Sequence, residues 1–118
     1  MIKKITIIIN DGPSSMRSWN ALRLASGMLD ANMDVKVILF DDAVFCAKKG
    51  QKPPEGLEGQ NLADNLTGLT NLGMAAWACG TCMQAKGMTA NELTKGVTET
   101  CMMDVCNSIK ESDDVLVF

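Results

Sequence analysis

A chain of 118 residues has room for one compact domain with a substantial core, and needs neither disulfides nor a structural metal to make up for a small one. With 11 basic and 14 acidic residues the net charge is −3, and the lysines are scattered, which argues against a nucleic-acid or anionic-membrane surface and leaves small molecules and proteins as partners. There is no histidine, so Ser-His-Asp hydrolysis is excluded, and five cysteines, an odd number, do not read as a disulfide framework.

Lys3 and Lys4 precede an apolar run of only Ile5 to Ile9, broken by Thr6, far short of a signal peptide or membrane segment, so a cytoplasmic location is expected. The β-branched stretch Ile2 to Ile9 reads as a strand buried on both faces, ending in the turn cluster Asn10, Asp11, Gly12 and Pro13. Ser14 or Ser15 then caps a crossover helix with Ala21, Leu22, Leu24, Ala25, Met28 and Leu29 on one broad core-facing stripe. Val35 to Phe40 is a second apolar strand, after which Asp41 or Asp42 caps a short helix that carries Val44, Phe45 and Cys46 and ends near Gly50. Pro53, Pro54, Gly56 and Gly59 make Gln51 to Gly59 an exposed loop of the kind that often covers a site.

Leu62, Leu66, Leu69 and Leu72 recur at spacings of four and three, an amphipathic helix that Gly73 ends. Met74 to Ala78 is a short strand with Cys79 directly after it, and about two helical turns fit between Cys79 and the stop at Gly87. Thr89 and Glu92 form a T-x-x-E capping box for another short helix. A last helix with Met102, Val105, Cys106 and Ile109 on its stripe leads into the closing strand Val115 to Phe118.

Four strands alternating with helices predict a single domain over residues 1–118, a three-layer α/β/α fold with a mostly parallel central sheet, flavodoxin- or Rossmann-like. The simplest strand order is 2-1-3-4. That order puts the Asn10 turn and Cys79 together at the point where the chain reverses direction, where such sheets bind ligands.

The chemistry-bearing motif is Cys79-Gly80-Thr81-Cys82, a C-x-x-C whose first member ends a strand and opens a helix. Free amides at a helix start favour a thiolate there, and a thiolate is a nucleophile at neutral pH. A small buried hydrophobe is the plainer alternative for any one cysteine. Lys86, four residues after Cys82, flanks the same helix face either as a solvated lysine or as an anion contact. The Asn10 to Ser15 turn is either an ordinary βα turn or a small-anion site.

Cys106 is read as packing, Cys101 near the helix start either faces the site or has no role there, and Cys46 is open between the pocket mouth and the core. No metal is expected, because one C-x-x-C is half of a zinc or iron–sulfur site and the other half is missing. The dispersed methionines, Met16, Met28, Met74 and Met102 among them, read as core fillers.

The stretch Ala78 to Met88 (A-C-G-T-C-M-Q-A-K-G-M), with Glu92, Leu93, Gly96 and Val97 after it, resembles the DsrE/DsrF-like family of intracellular sulfur-handling proteins. The Asn10-Asp11 turn, the segment Asp41 to Val44 and the closing strand Asp114 to Phe118 look similar too. The resemblance implies a cytoplasmic subunit that assembles into homotrimers or homohexamers. Its sulfur-carrying cysteine falls on Cys79, which would hold sulfane sulfur as a transient persulfide, with no other cofactor, between sulfur donor and acceptor proteins or small thiols. Lys86 stands where relatives often have arginine, so any anion contact there would lose its fork geometry.

Three functions follow as expectations. The first is a sulfurtransferase-like carrier using Cys79, with Cys82 modulating or resolving. The second is a thiol–disulfide oxidoreductase in which Cys82 is required; against it, thioredoxin-like folds supply a proline from a later strand, and here no proline follows Cys82. The third is a non-catalytic subunit of a sulfur-handling complex.

Overall fold

A computed structural model describes all 118 residues. Five strands, β1 (Lys4–Ile9), β2 (Asp34–Leu39), β3 (Ala75–Cys79), β4 (Val97–Thr100) and β5 (Asp114–Val117), form one sheet in the order β4-β3-β2-β1-β5. Every neighbouring pair is parallel. Four α-helices connect them: α1 (Met16–Asp30), α2 (Leu62–Asn71), α3 (Gly80–Ala85) and α4 (Met102–Glu111). The sheet is therefore all parallel, with helices on both faces.

The predicted order 2-1-3-4, whose strand 4 is the closing strand β5, is corrected to β5-β1-β2-β3-β4, and the reason is geometric. Crossovers in parallel sheets are right-handed, so helices on the same face must step the chain in the same direction. α1 and α2 touch each other, so they share a face, and β1, β2 and β3 follow in line. β5 then returns to the free edge of β1. The reversal lies between β1 and β5, and the expected meeting of the Asn10 turn with Cys79 does not occur, since β2 stands between their strands.

The two faces of the sheet are built differently. Ile5, Ile7 and Ile9 of β1, with Val35, Val37 and Leu39 of β2, bury one face against Ala21, Leu22 and Ala25 of α1 and Leu62, Leu66 and Leu69 of α2. On the other face the buried Thr6 meets Ser108 of α4 and Ser112 beyond it through their hydroxyls, and the Ser112 hydroxyl donates to the Ser108 carbonyl. α4 buries only Val105 and Ser108. Cys106 is exposed, and Met102 and Ile109 are 58% and 40% exposed, so the apolar stripe expected of this helix points mostly outward. Met16 is likewise exposed, whereas Met74 is core as expected.

Local chemistry explains the element ends. Ser15 caps α1 by accepting the Arg17 N–H, and Asn61 caps α2 by accepting that of Asp64. Gly73 and Gly87 follow α2 and α3 at φ 102° and 70°, backbone that side chains other than glycine rarely adopt. The Thr89–Glu92 capping box is present, but it opens a single 3-10 turn, Ala90–Glu92. After β2 the chain forms a 3-10 helix, Asp41–Ala47, capped by neither Asp41 nor Asp42; Phe40 occupies the cap position without a side-chain bond.

Candidate functional site: a dithiol at the end of strand β3

Strand β3 carries three alanines and one tryptophan before Cys79, small side chains that let the flanking elements lie close. Its register pairs Ala78 with Leu39 of β2 and Cys79 with Thr100 of β4. Cys79 is at once the last residue of β3 and the N-cap of α3. Its Sγ accepts the N–H of Cys82 at 3.5 Å, the bond a serine cap would make, and the residue is 5% exposed. α3 has only six residues, so what the sulfur meets is this one local amide rather than a long helix dipole.

Cys82 is half-buried one turn on. Burial raises its thiol pKa above the ordinary value; a hydrogen bond with Cys79 and the charge on Cys79 push the same way, while the Asp41 N–H pulls it down. The shift favours the neutral Cys82 thiol over its thiolate. The pair combines one sulfur that accepts an amide N–H with a second thiol one turn away.

Lys86 is committed elsewhere. Its Nζ lies 2.8 Å from Asp42 Oδ1 and 3.1 Å from Asp41 Oδ1, and the two carboxylates, Asp42 first, hold its pKa above the usual lysine value. This pairing ties the end of α3 to the exit of β2, next to Cys82, and an anion at Lys86 would have to displace two carboxylates. Asn10 donates its side-chain N–H to the Phe118 carbonyl, binding the ends of β1 and β5 together two strands from Cys79. The structure thus brings Cys79 and Cys82 together and leaves Asn10 outside their neighbourhood.

Two features escaped the sequence. Val97-Thr98-Glu99-Thr100 has a single apolar residue and no alternation, yet it forms edge strand β4 beside Cys79. Glu99 on that strand reaches over Gly80, with Oε1 2.7 Å from where a Cβ at position 80 would stand. A groove of about 370 Å³ runs here, lined by Gly80, Thr81, Glu99 and Cys101 among others. A larger cavity of about 490 Å³ between α1 and α2 is bordered by Trp19, Arg23 and Gly59 and is lined by no cysteine. The Pro/Gly loop therefore borders that cavity rather than the cysteines.

Cys46 belongs to the core. It is 1% exposed, and burial pushes its thiol up to about 12. Because the folded-state pKa is raised above 9.0, the neutral thiol contributes to stability in full below pH 9, and the contribution falls away as pH rises from there toward 12. Chemical denaturation at pH 8 and pH 10.5 is expected to show a loss of stability that Cys46→Ala reduces. Cys46 should also resist alkylation under conditions that label Cys101. No group of three or more Cys, Asp or Glu side chains is arranged to hold a metal ion, and no helix is long and apolar enough to cross a membrane.

With this geometry in hand, the comparisons with known proteins are consistent with one another. Residues 3–118 match the model of the DsrE/DsrF-like family. An uncharacterized protein of Methanopyrus kandleri, MK0008, is 36% identical over 118 residues, covering 99% of this chain and 95% of its own. Protein YchN of Escherichia coli is 32% identical over 120 residues, covering 99% of this chain and all of its own. The crystal structure of the E. coli ychN protein superposes with a TM-score of 0.87 at 31% identity, over 99% of this chain and 100% of that one.

Proposed function

The chain belongs to the DsrE/DsrF-like family, and from that premise and the geometry at Cys79 we propose that it is a sulfurtransferase-like carrier, accepting sulfane sulfur as a persulfide on Cys79 and passing it to an acceptor thiol. The observation that carries the proposal is the Cys79 sulfur, at a strand end, accepting the Cys82 N–H with the second thiol of the motif one turn away. In the forward step the Cys79 thiolate attacks the outer sulfur of a persulfidated donor, and the donor leaves as a thiolate. In the return step an acceptor thiolate attacks the outer sulfur of Cys79–S–SH, and Cys79 leaves as the thiolate. Low exposure protects the stored sulfur from water and stray thiols. A raised Cys82 pKa protects it as well, because only the Cys82 thiolate can attack the persulfide internally.

The proximity of Cys82 to Cys79 also supports the runner-up, a dithiol that cycles through a Cys79–Cys82 disulfide. Mass spectrometry after exposure to a persulfidated donor separates the two. One added sulfur on Cys79 that survives Cys82→Ser and moves to an acceptor thiol sustains the carrier; a Cys79–Cys82 disulfide as the only product sustains the oxidoreductase.

We extend the proposal to a cytoplasmic homo-oligomer, a trimer or hexamer. Its support in this chain is the outward apolar stripe of α4, where Met102, Cys106 and Ile109 lack cover. Sedimentation is expected to give a stable oligomer, and Ile109→Asp, a charge placed on the stripe, is expected to weaken it; a monomeric wild type would remove the oligomer from the proposal.

A further inference from the structure

The carrier reading leaves a problem of access. Cys79, the residue meant to trade sulfur with other molecules, is 5% exposed. The neighbouring strand end supplies a thiol without that restriction. Cys79 is in register with Thr100, so Cys101 is the residue that follows its partner. Strands about 4.8 Å apart with a rise of about 3.3 Å per residue put the Cα atoms of Cys79 and Cys101 about 6 Å apart.

Cys101 is exposed. It holds the N-cap position of α4 in extended backbone, φ −117° and ψ 164°, and makes no side-chain cap bond, so its sulfur is not engaged by its own helix. It lines the groove whose other wall includes Gly80 and Thr81, the two residues between the motif cysteines. Since Cys79 and Thr100 share a side of the sheet, Cys101 projects from the opposite pleat, so exchange between the two requires the Cys101 sulfur to come round the sheet's C-terminal edge beside Gly80, which carries no side chain. The flexible Glu99 side chain occupies that space and has to swing aside.

We propose that Cys101 is the entry thiol of the carrier, taking sulfane sulfur from a persulfidated thiol at the surface and handing it to Cys79 for storage. This rests on the assignment of Cys79 as the carrier. Loading forms a bond from the Cys101 sulfur to the donor's outer sulfur as the donor leaves as a thiolate. In the transfer, the Cys79 thiolate attacks the outer sulfur of Cys101–S–SH; the bond to Cys101 breaks, its electron pair stays on Cys101, and the proton on the moving sulfur travels with it. No net oxidation occurs in either step. The only charge lining the groove is the Glu99 carboxylate, which disfavours polyanionic donors such as thiosulfate.

The test is a time course of loading with limiting glutathione persulfide, quenched by alkylation and read by peptide mass spectrometry in the wild type, Cys101→Ser and Cys79→Ser. Serine is a preferred N-cap, so Cys101→Ser should keep the fold, checked by its melting curve. The expected result is sulfur on Cys101 before Cys79, Cys79 loading slowed about tenfold or more in Cys101→Ser, and sulfur stranded on Cys101 in Cys79→Ser. Loading of Cys79 at the wild-type rate in Cys101→Ser overturns the entry role and leaves the carrier intact. Wild-type protein whose Cys79 never takes sulfur overturns both.

Discussion

Cys79→Ser is expected to abolish sulfane-sulfur storage, and Cys82→Ser to preserve it with a longer lifetime. The first effect is absolute in kind, because a serine hydroxyl cannot form the S–S bond that holds the cargo; loading at position 79 falls at least a hundredfold, to background. The second follows from which group of Cys82 touches Cys79. The bond to the Cys79 sulfur comes from the Cys82 backbone N–H, which a serine retains. What the substitution removes is the thiol that, once ionised, attacks the inner sulfur to give a Cys79–Cys82 disulfide and release hydrosulfide. Since the Cys82 pKa is raised, that loss is slow near neutrality and quickens as pH rises. The lifetime of wild-type persulfide is therefore expected to shorten with pH, and that of Cys82→Ser to depend on pH much less. Equal lifetimes in the two proteins at pH 9 would mean that Cys82 does not drain the stored sulfur.

Gly96→Ala is expected to be the most damaging single-methyl change in the chain. Gly96 has φ +97°, and a Cβ there would stand 2.0 Å from Thr70 Oγ1 and 2.9 Å from Thr70 Cβ. Thr70 cannot easily retreat, because its hydroxyl donates to the Thr67 carbonyl. Thr67 in turn bonds the Thr94 hydroxyl and donates to the Lys95 carbonyl, so Thr67 and Thr94 lace α2 to the entry of β4. Left-handed strain and overpacking each cost about 1–3 kcal/mol, giving about 3 kcal/mol together and a drop in Tm of about 10–20 °C. Gly27→Ala is the control. Gly27 lies inside α1 with nothing within 4 Å of the new methyl, and about 0.5–1 kcal/mol of stabilisation is expected. Melting curves of the two variants test both; a Gly96→Ala protein as stable as the wild type would mean that the turn has another conformation.

What could be read from the sequence was what short-range chemistry determines. The spacing of Leu62, Leu66 and Leu69 gave α2, with its buried side, and the breaker cluster after Ile9 gave the end of β1. Cys79 was recognisable at a strand end because an apolar run stops at a glycine that opens a helix. What could not be read depended on partners far away in the chain. β4 is a strand because β3 offers it an edge, a fact that V-T-E-T does not carry, and with β4 hidden, Glu99 and Cys101 could not be placed beside the motif. Strand order likewise depended on which helices share a face. The stripe of α4 misled for a different reason: periodicity shows that a helix has an apolar side, not what that side meets, and in the single chain hydroxyls hold α4 to the sheet.

That hydroxyl contact sets different rules for sequence drift on the two sides of the sheet. On the α1–α2 side the constraint is volume, and aliphatic residues can exchange as long as the space stays filled. Between β1 and α4 the constraint is hydrogen-bonding valence. Each of Thr6, Ser108 and Ser112 has a partner among the others, so an apolar replacement at one strands a donor or acceptor on its neighbours. These three positions should therefore change together or not at all, while the isoleucines on the opposite pleats of the same strand drift independently.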